Sequence, residues 1–451
     1  MTLEEEVVVL RAEVQVLRQQ VVTLQEELEA AQERIAELEA GKKRPPSFVK
    51  PNKLRGTGPK LPRRKRQAEH NHGRRREVPT KIVRHALERC PDCGYKLSGQ
   101  SVARRRQVID IPPPQAVEVT EHRVIKRWCP HCERWRTPRL NLQGEVWGQG
   151  RIGVRLVSVI AYLRTRLRLS LRLIQEYLQA MHQVYLSVGE LVEVLDQFRR
   201  AGEPLLKSLR EQMRDSAILH IDETGWREDG QNGYVWACGT PGPEGVRYYE
   251  YDRSRARQVV QRLLGAQFQG VLNTDFYGGY NIYLGPHQRC WVHLLRDLHE
   301  LKEEHADQEG IVSWAEAVRA LYDDAQQFMQ TSPPPSQAQR EEQYLALLQR
   351  LQPLGLAYAQ AKKHPCQALA KRLLRHQDEL FLFVLVDGLC ADNNLAERTL
   401  RPLVVARKIS GGTRSKRGSS IRMSLTSLFA TWQARGLNPL TQCLQVLAQS
   451  P

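Results

Sequence analysis

Between residues 215 and 276 the hydrophobic pattern of this 451-residue chain shifts to a period of two, and that shift constrains the fold more than any other feature. AILHIDET, GYVWACGT and GVRYYEYD read as three antiparallel strands, the first two joined across the turn DGQNG. A helix around ARQVVQRLLGA follows, and then a short apolar strand, GVLNTDF, that ends at Asp275. Side chains alternate across a strand, so the adjacent acids of ILHIDETGW, Asp222 and Glu223, face opposite sides. Only one of them can join Asp275. The expectation is Asp222, with Glu223 as a structural partner.

Three strands, a helix, and a strand with an acid at its tip is how a ribonuclease-H-like domain begins, and in such a sheet Asp222 and Asp275 lie side by side. A third acid, Glu397, sits in DNNLAERTLRP, where Asn393, Glu397 and Arg401 share one helix face before Pro402 ends or kinks the helix. Three converging carboxylates repel one another unless cations hold them. Two divalent ions about 4 Å apart are the usual solution in phosphodiester chemistry, one activating the attacking hydroxyl and the other stabilising the leaving oxygen. Taken singly, each acid also reads as a helix cap or as the partner of a nearby arginine. The three together, in this strand order, favour the metal site. Residues 301 to 388, between Asp275 and Glu397, read as amphipathic helices and so predict a helical insertion between the last strand and the helix that carries the third acid.

A formal charge of +17 points to a polyanionic partner such as nucleic acid, and the charge is segregated. Residues 1 to 40 carry three arginines against ten glutamates on a heptad repeat, with Val7, Val14, Val21, Leu28 and Ile35 at a and mostly Leu at d. That pattern favours a parallel two-stranded coiled coil and hence a homodimer, an amphipathic helix docked on its own chain being the other reading. Residues 41 to 77, rich in Pro, Gly, Lys and Arg, predict a disordered basic linker. Its run Arg63, Arg64, Lys65, Arg66 is either a phosphate-binding tether or a solvated spacer. No segment approaches the roughly 20 apolar residues of a membrane span, so the expected location is soluble and intracellular.

Cys90 and Cys93 form one C-x2-C pair and Cys129 and Cys132 a second, 35 residues further on. Strand-like runs RRRQVIDI and AVEVTEHRVIKRW lie between them, predicting a hairpin that brings four thiolates to one tetrahedral Zn²⁺. Gly94 suits the tight turn after the first pair, whereas Glu133 at the equivalent place offers no such help. LSLRLIQEYLQAM and LSVGELVEVLDQF, the second opened by a Ser187/Glu190 capping box, read equally as a helix-turn-helix or as a supporting helical hairpin. After Glu397 come Arg398, Arg401, Arg407, Lys408, Arg414, Lys416 and Arg417 around the flexible pair Gly411 and Gly412, placed to bind phosphates beside the acids.

HIDETGW at 220 to 226, TDFYGGY at 274 to 280, CWVHLLRDL at 290 to 298 and DNNLAERTLRPLVVARKISGGTRSKRGS at 392 to 419 resemble the DDE transposases of the insertion-sequence 66 family. The coil, the paired cysteines and the helical segment stand in the same order as in that family, so the resemblance covers nearly the whole chain. It implies a catalytic triad of Asp222, Asp275 and Glu397 holding two Mg²⁺ or Mn²⁺ ions, with His293 and Arg296, which match the family's C-x-x-H-x-x-R pattern, bordering the site. It also implies double-stranded DNA as substrate, accessory proteins of the same element as partners, and a bacterial cytoplasmic, nucleoid-associated location. The resulting expectation is a multidomain α+β chain: coiled coil (1–40), basic linker (41–77), zinc-ribbon-like module (78–145), helical DNA-binding region (146–212), and a ribonuclease-H-like α/β catalytic domain (213–300 and 389–451) interrupted by a helical insertion (301–388). Its expected activity is metal-dependent strand cleavage and transfer at insertion-sequence ends. The alternatives are a non-enzymatic DNA-binding regulator, a nuclease that cuts without joining, and an inactive copy.

Overall fold

The computed structural model describes residues 77–148 and 150–449. The expected coiled coil and linker, with Arg63, Arg64, Lys65 and Arg66, lie outside the described residues. The chain divides between Asp110 and Ile111 into two compact units. In the first, Arg89 and Lys96 pair across the turn that carries Cys90 and Cys93. The second opens with a hairpin, β1 (Arg127–Cys129) and β2 (Arg134–Arg136), whose Trp128 and Trp135 stand opposite each other with ring centroids 5.8 Å apart.

The strand-like runs at 104–111 and 116–128 otherwise form no ladder, and their Val108, Ile109, Val119 and Val124 are exposed. Alternation marks a potential strand, but a strand exists only where a neighbour takes its backbone hydrogen bonds.

Four helices precede the sheet: α1 (Val154–Thr165), α2 (Leu171–His182), α3 (Val188–Ala201) and α4 (Glu203–Arg214). Ser170 caps α2 by accepting the Leu173 N–H, and Gln183 ends it in the left-handed region. The capping box of Ser187 and Glu190 opens α3 with both reciprocal bonds made. Ile174, Leu178, Leu191, Leu195 and Phe198 bury the inner faces of this group.

The main sheet has the order β5-β4-β3-β6-β7. Its strands are β3 (Ile218–Glu228), β4 (Gln231–Gly239), β5 (Arg247–Asp252), β6 (Val271–Thr274) and β7 (His287–Arg289). The first three pair antiparallel, while β6 and β7 run parallel to β3. The β3–β4 turn is tighter than the motif DGQNG indicates. It consists of Asp229 and Gly230, with φ of 53° and 73°, the two consecutive left-handed residues of a type I′ hairpin. Helix α5 (Arg257–Leu264) crosses from β5 to β6, and a 3-10 turn at Gly278–Ile282 precedes β7.

Alternation along β3 sorts the helices between the two faces. Leu219 and Ile221 join Trp236, Cys238 and the α5 residues Val259, Val260 and Leu263. Trp226, with Val235 and Ala237 from β4, packs on Leu400 and Leu403 of the helix that carries the third acid.

The insertion consists of α6 (Trp291–Glu304), α7 (Glu309–Met329), α8 (Gln337–Ala359), α9 (Gln367–Arg375) and the short turns α10 (Gln377–Leu380) and α11 (Leu382–Leu385). It has a core of its own around Leu294, Trp314, Leu347, Leu351 and Phe381. Helix α12 (Asn394–Ser410) then returns to the sheet, followed by α13 (Lys416–Ala434) and α14 (Pro439–Gln449). Pro402 does not end α12, which continues eight residues beyond it despite the one bond that proline cannot donate.

Gly411 and Gly412 are not a flexible pair. Gly411 is the left-handed C-terminal cap of α12, at φ 71°. A Cβ on Gly412 would stand 2.1 Å from the Arg227 carbonyl oxygen, because Thr413 pairs there with the end of β3. No helix among the described residues is long and apolar enough to cross a membrane.

Candidate active site

Asp222, Asp275 and Glu397 come from a strand, the residue after a strand, and the first turn of a helix. In the parallel register of β3 and β6, His220 stands opposite Asn273. Asp222 lies two residues beyond that pair, on the same face as His220, and Asp275 lies two residues beyond Asn273, just past the end of β6. The face of His220 and Asp222 is the one on which α12 packs.

Two buried asparagines fix the helix there. Asn393 donates from Nδ2 to the Ile221 carbonyl at 2.9 Å and accepts at Oδ1 from His220 Nδ1 at 3.1 Å. Because the amide is oriented by its bond to a carbonyl, His220 must carry its proton on Nδ1. Burial holds this histidine down at about 4, partly countered by the same asparagine, so it is neutral at physiological pH. Asn273 donates to the carbonyls of Cys390 and Asp392 at 2.8 and 3.0 Å. The segment ahead of α12 is thus joined to both acid-bearing strands, and Glu397 follows one turn later.

The electrostatics record this convergence. Burial pushes the Asp222 carboxyl up to about 8, and the neighbouring charges of Glu223, Asp275 and Glu397 add to that. Asp222 Oδ1 accepts the Glu223 N–H at 2.8 Å, and Asp275 Oδ1 accepts the Tyr277 N–H at 2.9 Å. Both of these bonds are to Oδ1.

Glu223 lies on the opposite face, paired to Arg255 at 2.6 Å, with the Tyr280 hydroxyl donating to its other oxygen. Burial raises its carboxyl despite both partners. Arg255 in turn lies 4.0 Å over the Tyr277 ring. His293 places Nε2 3.9 Å from Glu397 Oε1, while Arg296 is exposed on the same helix.

Among the described residues no three Asp, Glu, His or Cys side chains are gathered on one metal-sized point. The three acids are coupled neighbours rather than a closed ligand sphere. Their chemistry fits divalent cations nonetheless. They are hard oxygen donors, the kind of ligand that such cations take.

No local sequence pattern marks what lies beneath Asp275. Arg289 of β7 is fully buried and reaches the Asp275 carbonyl from Nη1 at 2.9 Å. It pairs through Nε with Glu379, whose acidity is set by opposing causes. Burial raises its carboxyl, but the His376 hydrogen bond and the Arg289 charge outweigh that and hold it at about 2.

The basic run divides into two groups. Arg407 is bound to Thr224 and Gly225 of β3, and Arg417 pairs with Asp196 and Glu193 of α3. Those two already have partners within the chain. Arg398, Arg401, Lys408, Arg414 and Lys416 are exposed.

The cysteine pairs are two knuckles of similar local form. Gly94 donates its N–H to the Cys90 carbonyl, and Cys132 donates its N–H to the Cys129 sulfur at 3.4 Å. Backbone N–H groups of Asp92 and Cys93 lower the Cys90 thiol, and that of Cys132 lowers Cys129. The next residue is left-handed in both, Gly94 at φ 72° and Glu133 at φ 47°. Glu133 thus adopts the conformation for which glycine is better suited.

Residues 149–421 match the family model described as "Transposase IS66 family", and residues 88–133 match "zinc-finger binding domain of transposase IS66". Similar curated proteins include two from Sinorhizobium fredii. The uncharacterised protein y4qI is 26% identical over 215 residues, covering 45% of this chain and 39% of that protein. The uncharacterised protein y4jO is 32% identical over 171 residues, covering 37% and 49%. The chain therefore spans less than half the length of these relatives.

Proposed function

The chain belongs to the IS66 family of transposases, and from that premise we propose that it cleaves and joins DNA at the ends of an insertion sequence, with Asp222, Asp275 and Glu397 as its catalytic carboxylates. The single observation that carries this reading is Asp222 in β3 and Asp275 just past the end of the parallel β6, with Asn393 fastening the Glu397 helix to β3. The strand order, three antiparallel strands and then two parallel ones on the other side of β3, supports a ribonuclease-H-like fold.

Asp222, Asp275 and Glu397 are the residues to hold Mg²⁺ or Mn²⁺. Two such ions would supply an activated hydroxyl and a stabilised leaving oxygen. The chain's own part is to orient the carboxylates through Asn393, Asn273 and the Tyr277 N–H, and to hold DNA. The exposed Arg398, Arg401, Arg414 and Lys416 are suited to phosphates flanking the reacting bond. Arg407 instead binds β3 beside Asp222, and Arg417 pairs with α3.

A zinc ion in the cysteine module is supported by the family match over residues 88–133 and by the lowered thiols of Cys90 and Cys129, with Cys93 and Cys132 completing the donor set. Double-stranded DNA, a homodimer through the amino-terminal repeat, and accessory proteins of the same element are the proposed partners.

Strand transfer of labelled element ends tests the reading. Wild type should join DNA with Mg²⁺ or Mn²⁺, and Asp275→Asn should not. Cleavage without joining would make the protein a nuclease. Sequence-specific binding with no cleavage would make it a regulator.

A further inference from the structure

Asp275 stands one residue beyond the last ladder position of β6, Thr274, where the sheet no longer holds the backbone. Its carbonyl accepts instead from the Thr274 hydroxyl at 2.8 Å and from Arg289, and of these two only Arg289 reaches beyond the strand. This guanidinium, 1% exposed, donates from Nη1 to the Asp275 carbonyl at 2.9 Å, from Nη2 to Asn281 in the 3-10 turn, and from Nε to Glu379. Glu379 belongs to the helical insertion, where His376 Nδ1 bonds the same carboxylate at 2.8 Å.

Two near neighbours of Arg289, one in β7 and one at the start of α6, follow the same route. Gln288 donates to the Leu380 carbonyl at 3.0 Å and accepts from the Phe383 N–H at 2.9 Å, and Trp291 donates to the Leu380 carbonyl as well. A buried guanidinium is costly unless its charge and its N–H groups are all met. Its planar fork also fixes the relative positions of whatever it meets.

We propose that Glu379 and Arg289 are positioning residues through which the helical insertion sets the placement of Asp275 for metal binding. The insertion is thus a brace for the active site, reaching the catalytic acid through one buried charge. This rests on the catalytic reading above and adds to it a function for residues 376–383.

The test uses the full chain and a Mn²⁺ titration followed by thermal unfolding, with strand transfer as a second readout. Wild type should show a saturable Mn²⁺-dependent rise in Tm that Asp275→Asn lacks. Glu379→Gln should need at least about fivefold more Mn²⁺ for half of that rise, Asn281→Ala a smaller multiple, and Glu379→Asp should recover part of the loss. Strand transfer by Glu379→Gln should recover as Mn²⁺ is raised, which a merely misfolded protein would not do.

If Glu379→Gln folds and titrates like wild type, the brace is refuted while the catalytic reading stands. If Glu379→Gln does not fold, Asn281→Ala decides by the same criterion, since Asn281 is exposed and its loss is mild. If wild type and Asp275→Asn respond alike, the metal reading itself fails and the brace falls with it.

Discussion

The acid site and the cysteine module are organised in opposite ways. Around Asp222, Asp275 and Glu397 the protein supplies the order: buried Asn393, Asn273 and Arg289 draw on segments 172, 117 and 90 residues apart. Around the cysteines the order is local. Each knuckle is closed by bonds within a few residues, Cys93 and Cys132 are exposed, and so are Tyr95, Val119 and Trp128 nearby. A site set in a core can wait for its ions. A module with so little buried surface would depend on the proposed zinc ion for its structure.

The largest expected effect is on the module. Stripping zinc, or replacing Cys129 by Ser, should abolish hydrogen-exchange protection around residues 88–136 while leaving the sheet and α12 protected. A sheet that lost protection along with the module would break the contrast.

Next in size, Asn393→Ala leaves the His220 N–H and the Ile221 carbonyl without partners in a buried setting, a cost of about 2–4 kcal/mol. Chemical denaturation should show that loss, and strand transfer should fall more than tenfold as Glu397 loses its anchor. Leu403→Ala, on the same helix but away from the acids, should destabilise by about 2–5 kcal/mol with the transfer rate of the folded fraction nearly kept.

A smaller effect follows from Asp222, whose carboxyl rises from 3.8 to about 8 on folding. A raised carboxyl binds its proton more tightly in the folded chain. The stability this contributes is fully present below about pH 4 and is lost as pH climbs toward 8. Without divalent metal, Asp222→Asn should therefore exceed wild type in stability at pH 8 by about 2 kcal/mol, and the gap should close as pH falls. The smallest effect, under about 1 kcal/mol, is a gain in the stability of the zinc-loaded module from Glu133→Gly, which places glycine at a left-handed position.

Much of the sheet was legible because β3, β4 and β5 each present one apolar face, which imposes a period of two. Asp222 could be separated from Glu223 on that period alone, and Arg255 and Tyr280 now account for the second acid. β7 was not legible. His287, Gln288 and Arg289 are polar residues buried by hydrogen bonds to partners as far as residues 379 to 383, and no local pattern announces such a strand. Arg289 was hidden for the same reason.

The opposite failure occurs at 104–128, where alternation is present and pairing is nearly absent. Glu397 was reached through motif resemblance, since 122 residues and a helical insertion separate it from Asp275. Asn393 was visible as a residue on the Glu397 face. Its grip on the Ile221 carbonyl depends on tertiary packing that spacing does not encode.

Strand transfer with Mg²⁺ or Mn²⁺ for wild type, Asp222→Asn, Asp275→Asn and Glu397→Gln decides whether a fold-organised triad performs the chemistry. All four proteins should fold and bind element-end DNA. Joined product is expected from wild type alone, with each variant reduced by at least about a thousandfold. Joined product from any of the three variants at the wild-type rate would contradict it.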